Sequence, residues 1–123
     1  MQSRKDLIRE YKERRKPAGV FQIRNSVNGK VFFGSSKNLE GVFNGHRFRL
    51  DFGSHNNAAL QADWKSYGAD AFEFEILEEV KFTDAPHFDL EDELTLLEQI
   101  WLEKLEPYGD RGYNIPGGKI RQV

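Results

Sequence analysis

Apolar positions along this chain change period several times, and each change marks an element. Gly19 to Arg24 (GVFQIR) and Lys30 to Phe33 (KVFF) are dense in branched and aromatic residues, with Asn28-Gly29 between them. Both turn residues tolerate positive φ, so the spacing predicts a hairpin closed by a type I′ turn. Gly34-Ser35-Ser36 then breaks the pattern, and Asn38 is placed to cap a helix over Leu39–Leu50 that carries Leu39, Val42, Phe43 and His46. Gly41 and Gly45 weaken that helix by about 1 kcal/mol each relative to Ala. Lying four apart, they also open one of its faces to a close approach.

Asp51 to His55 (DFGSH) reads as a loop. Asn56 or Asn57 starts a second helix with Leu60, Trp64 and Tyr67 at i, i+4 and i+7, and Gly68 ends it. Phe72 to Leu77 (FEFEIL) alternates strictly, which predicts a half-buried strand with Phe72, Phe74 and Ile76 inward and Glu73 and Glu75 in water. Residues 82–89 form a loop. A last helix over Leu90–Leu105 turns Leu90, Leu94, Leu97, Trp101 and Leu105 inward, and Pro107 stops it. Residues 109–118 are irregular, with Ile115 expected as a buried anchor. Ahead of the hairpin, residues 3–16 (SRKDLIREYKERRK) read as a short basic helix with Ser3 and Asp6 spaced as a capping box. That segment either follows a phosphate backbone or docks on the sheet with a wet outer face. The sum is one small α/β domain, an antiparallel sheet of three strands flanked by about three helices, with the extra N-terminal helix over 1–18 and a short tail over 119–123.

Composition narrows the function. The 123 residues suffice for one core, and ten Phe and two Trp supply bulk that a 38% hydrophobic share would otherwise lack. The absence of cysteine excludes disulfides and thiolate metal sites. No run approaches membrane-spanning length and the basic N-terminus has no apolar stretch, so a soluble, cytoplasmic protein is expected. The net charge of −2 hides an asymmetry: residues 1–50 carry 12 Lys/Arg against 4 Asp/Glu, a balance of +8, and residues 51–123 carry 6 against 16, a balance of −10. A basic half fits a phosphate-facing surface, although solvated helix faces produce the same split.

Several strings together resemble the GIY-YIG nuclease domain. Gly19-Val20-Phe21 and Phe32-Phe33-Gly34 stand where that family has its two triads, followed by Ser36-Lys37-Asn38-Leu39 and His46. Residues 56–68, Phe72 to Leu77, Leu97 to Trp101, and Gly112-Tyr113-Asn114-Ile115 fall in the same order as similar family strings, so the resemblance covers roughly 19–118. It implies cleavage of phosphodiesters around one divalent cation, Mg²⁺ or Mn²⁺. The implied roles are a Glu on the last helix for the cation, matched by Glu98, a supporting Asn, matched by Asn114, and a helix His, matched by His46.

The chain also departs from the family. The two Tyr positions are Phe21 and Phe32, which keep rings and lose hydroxyls, and the helix Arg position is Val42. Losing a general base is worth about 10²–10⁴-fold, and losing a charge-stabilising donor about 10²–10³-fold. Arg49 lies seven residues beyond Val42 on the same helix face and about 10 Å along the axis. It can stand in if its side chain folds back. Ser35, Ser36 and Lys37 at the helix start, with Arg47, Arg49 and His55, are candidate phosphate contacts.

On these grounds the sequence reads as a nucleic-acid-binding domain, DNA before RNA, whose cleavage is weak or lost. The alternative is an active metal-dependent DNA endonuclease with a rearranged site using Glu98, His46 and a relocated Arg. A protein-interaction module on the same scaffold, suggested by the acidic second half, is the third reading.

Overall fold

The hairpin forms as strands β1 (Gly19–Asn25) and β2 (Val31–Ser36), antiparallel from Gly19↔Ser36 to Arg24↔Val31. The structure, a computed structural model, describes residues 3–4 and 16–122. The helix expected over 3–16 therefore lies almost wholly outside the described residues. The turn is longer than the two-residue one expected. Asn25 N–H donates to the Lys30 carbonyl (2.9 Å) and Gly29 N–H to the Asn25 carbonyl (2.8 Å). Asn25 Oδ1 accepts from Val27 N–H (2.9 Å), so a side chain serves a loop donor that a tighter turn would not have. Within the turn Gly29 alone has positive φ, 80°.

Asn38 caps α1 (Leu39–Phe52), its Oδ1 accepting from Gly41 N–H at 3.0 Å. Asn57 caps α2 (Ala58–Tyr67) by accepting from Leu60 N–H at 2.9 Å, and Asp89 caps α3 (Leu90–Leu105). β3 (Phe72–Glu79) pairs antiparallel with the other side of β1. A fourth strand, β4 (Arg121–Gln122), runs parallel to β2, giving the order β3-β1-β2-β4. The sheet is therefore mixed and four-stranded, not the three-stranded antiparallel sheet expected. Two residues of strand are too short to show a period, and Ser35 N–H draws the segment in by donating to the Ile120 carbonyl (3.2 Å).

Both faces of the sheet are covered. Phe21, Ile23 and Phe32 pack with Leu39, Val42, Leu50, Leu60 and Trp64 from α1 and α2. Val20 and Phe33, one residue out of phase, pack with Leu94 and Leu97 of α3 on the other side. The period-2 alternation of β1 and β2 thus feeds two cores. On β3 the register shifts between Val20 and Phe21, leaving Leu77 opposite no residue of β1. Leu77 joins the α3 core, whereas Ile76, expected inward, is 45% exposed at the sheet edge. Ile115 is also corrected, since it is 71% exposed. The buried anchors of its loop are the neighbours Tyr113 and Asn114.

Candidate active site

The first triad ends in a ring that is wholly buried. Phe21 lies against Gly34, where an added Cβ would stand 2.7 Å from the ring tip, so the second triad needs glycine for this close approach. Phe32, at the edge of the same core, lines an open cleft of about 370 Å³. His46 sits between the two rings, with centroid separations of 5.6 Å to Phe21 and 5.3 Å to Phe32, and is 1% exposed.

His46 is paired with His55, Nδ1 to Nε2 at 2.7 Å. Asn57 N–H donates to His55 Nδ1 (3.0 Å), which leaves the His55 proton on Nε2, pointing at His46. His46 Nδ1 therefore accepts, and its own proton is on Nε2, buried without a hydrogen-bond partner among the described residues. Burial, then His55 and Arg49, pushes His46 down to about 3. Burial and then Arg49 takes His55 to about 4. Both rings are neutral at pH 7, and both lone pairs are already engaged.

Arg49 brings a guanidinium to the hollow that Val42 also lines. One η nitrogen lies 3.3 Å from His46 Nδ1, and the other lies 3.3 Å from where a Cβ on Gly45 would be. The side chain folds back along α1 over the missing Gly45 side chain, and Arg49, Gly45 and Val42 line one hollow. Val42 itself is buried in the core.

Glu98 is anchored on α3 between Leu94 and Trp101 and has a side chain 15% exposed. Its Oε2 accepts from Ser35 Oγ (2.5 Å) and from Arg121 Nε (3.0 Å). A guanidinium thus stands beside the acid, and it comes from β4, beyond the end of the family-like strings. Arg121 and its neighbours Lys119 and Gln122, which line the cleft, were not among the residues singled out from sequence. The only signal was indirect, namely two acids, Glu91 and Glu98, seven apart on one helix with no basic residue between them.

The remaining candidates divide. Asn114 Oδ1 accepts from Phe33 N–H and its Nδ2 donates to the Phe33 carbonyl, both at 2.8 Å, so it pins the C-terminal loop to β2. Ser36 is engaged with the Asn38 backbone and Lys37 is ion-paired with Glu91. Arg47 lies over the Phe74 ring (4.5 Å), away from the cleft. Among the described residues the charged ones lining the cleft are Arg49, Lys119 and Arg121, all cations.

For a metal, the donor set is small. Among the described residues no group of three or more His, Cys, Asp and Glu could hold an ion. Among the described residues the hydrogen bonds to Glu98 go to Oε2, leaving a carboxylate with one oxygen to offer. One carboxylate completed by water and substrate oxygens suits Mg²⁺ or Mn²⁺, and not a zinc site.

A small mixed sheet with this helix order, His46 and Arg49 lining one cleft, and Glu98 bonded to the cleft residue Arg121 fit a domain of the GIY-YIG nuclease kind. The chain belongs to that superfamily. It is similar to Intron-associated endonuclease 1 of Enterobacteria phage T4, 33% identical over 98 residues that make up 80% of this chain and 36% of that protein, so it spans about a third of that relative's length. Two solved structures of the catalytic domain of the homing endonuclease I-TevI, one with a Glu-to-Ala substitution, match 80% of this chain and 97% and 92% of theirs. Each has a TM-score of 0.64, and the identities are 33% and 31%. No protein-family model matches the chain. No described helix is long and apolar enough to cross a membrane.

Proposed function

We propose that this chain is an active, divalent-metal-dependent endonuclease domain acting on DNA, with a rearranged site. The observation that carries the reading is Arg49, which reaches back beside Val42 and places a guanidinium in a cleft whose charged lining is wholly cationic. Such a cleft attracts a polyanion, and an arginine fixed by packing stabilises charge developing on a phosphate.

In this reading Glu98 would hold Mg²⁺ or Mn²⁺, which when bound supplies Lewis-acid stabilisation of the phosphate. Arg49 binds the scissile phosphate and neutralises it from the α1 side. The His46–His55 pair holds Arg49 in place and, being neutral, adds no charge to compete with the phosphate. Phe32 is an apolar part of the cleft wall, and Phe21 packs behind it against His46 in the core. Asn114 fixes β2, and through it Ser35, against Glu98.

The test is nicking of supercoiled plasmid in Mg²⁺ or Mn²⁺ by the wild type and by Glu98→Ala. Nicking that disappears in the variant is expected. No nicking by the wild type contradicts the reading.

A second reading, nucleic-acid binding without cleavage, is favoured by the three hydrocarbon side chains at Phe21, Phe32 and Val42 and by the engaged imidazole lone pairs. It predicts DNA binding that weakens steeply with salt while the plasmid stays intact.

A further inference from the structure

Glu98 already has a cation beside it. Arg121 spends its whole guanidinium on α3: Nε on Glu98 Oε2 (3.0 Å), one η nitrogen on Glu91 Oε2 (2.6 Å), and the other on Thr95 Oγ1 (2.8 Å) and the Glu91 carbonyl (3.4 Å). The positive charge stands at the carboxylate that the domain would use for a metal, so a divalent ion arriving at Glu98 meets like-charge repulsion.

Part of that hold faces solvent. β4 is two residues long, and its outer partner Glu91 has a side chain 55% exposed. Arg121 lines the same cleft as Arg49 and Lys119. A planar guanidinium fork matches a phosphate at least as well as it matches a carboxylate.

We propose that Arg121 is a placeholder cation. It satisfies Glu98 while the cleft is empty of nucleic acid, and it transfers to a backbone phosphate when a duplex enters, leaving Glu98 free for the divalent ion. The inference rests on the reading of this cleft as a phosphodiester site, and it adds an order of events: the metal loads weakly on the free protein and tightly on the complex. Arg121 is a positioning residue for the acid in one state and a phosphate contact in the other.

The experiment is Mn²⁺ binding followed by electron paramagnetic resonance, on the wild type, Arg121→Gln, Arg121→Lys, Glu98→Gln and the Arg121→Gln/Glu98→Gln double variant. Each is measured with and without a short DNA duplex. Without duplex, Arg121→Gln binds Mn²⁺ about tenfold or more tighter than the wild type, and the gain vanishes in the double variant. Arg121→Lys, which keeps the charge, stays within about threefold of the wild type. Adding duplex tightens Mn²⁺ binding to the wild type more than to Arg121→Gln. Thr95→Val, which loosens the arginine without changing any charge, gives a smaller gain in the same direction and serves if Arg121→Gln fails to fold. Equal Mn²⁺ affinities in the wild type, Arg121→Gln and Thr95→Val, lost in Glu98→Gln, overturn the placeholder and leave the metal site standing. Gains that survive in the double variant also overturn the placeholder. No Mn²⁺ binding by any of these proteins, with or without duplex, overturns both.

Discussion

Arg49 and Gly45 are a matched pair: the guanidinium of one lies against the space the other leaves, 3.3 Å from where a Cβ would be. A residue that weakens the helix therefore leaves room for the side chain proposed to bind the phosphate. The two effects separate on substitution. Gly45→Ala raises stability by about 0.5–1 kcal/mol through helix propensity, and it lowers nicking by displacing the guanidinium. Urea unfolding and a nicking assay on the same variant check this. A variant that gains stability and keeps full activity shows that the placement of Arg49 is immaterial.

The two lost phenols are not equally recoverable. The tip of the Phe21 ring abuts the backbone of Gly34 in a fully buried site, so Phe21→Tyr overpacks the sheet and destabilises by about 1–3 kcal/mol. Phe32 lines the cleft, where a hydroxyl reaches open space, so Phe32→Tyr is the milder change. Urea midpoints of the two variants rank them, and a larger loss in Phe32→Tyr contradicts the packing argument.

How much of this was legible follows from what each residue depends on. The caps Asn38 and Asn57 and the inward faces of α1 and α3 are local properties, and all of these formed as the spacing predicted. His46 and Asn114 line one cleft, and Glu98 meets it through Arg121. What stayed hidden depended on tertiary partners. The bulge at Leu77, which leaves Ile76 exposed, exists only in the β1–β3 register. The fold turns the hydroxyl of Ser35, a candidate phosphate contact by sequence, onto Glu98. Arg121 reaches the site through a two-residue strand that no periodicity could reveal.

The histidine pair makes stability depend on pH in a stated direction. In the unfolded chain both imidazoles titrate near their ordinary 6.5, whereas in the folded protein burial keeps them neutral down to about 3 for His46 and about 4 for His55. Their contribution is complete above pH 6.5 and is lost as pH falls toward 4 and then 3, because protons bind the unfolded chain first. Urea unfolding at pH 7, 5.5 and 4.5 shows the decline, and His55→Gln makes it shallower. An unchanged slope in that variant rules out the pair as its source.

Cleavage by this domain is proposed to depend on a guanidinium displaced by seven residues, from the position of Val42 to Arg49. Nicking by Arg49→Ala in Mg²⁺, under single-turnover conditions beside the wild type and Arg49→Lys, tests it most directly. A loss of about 10²–10³-fold is expected in Arg49→Ala, with only partial recovery in Arg49→Lys and DNA binding weakened far less than cleavage. Cleavage by Arg49→Ala at the wild-type rate would contradict it.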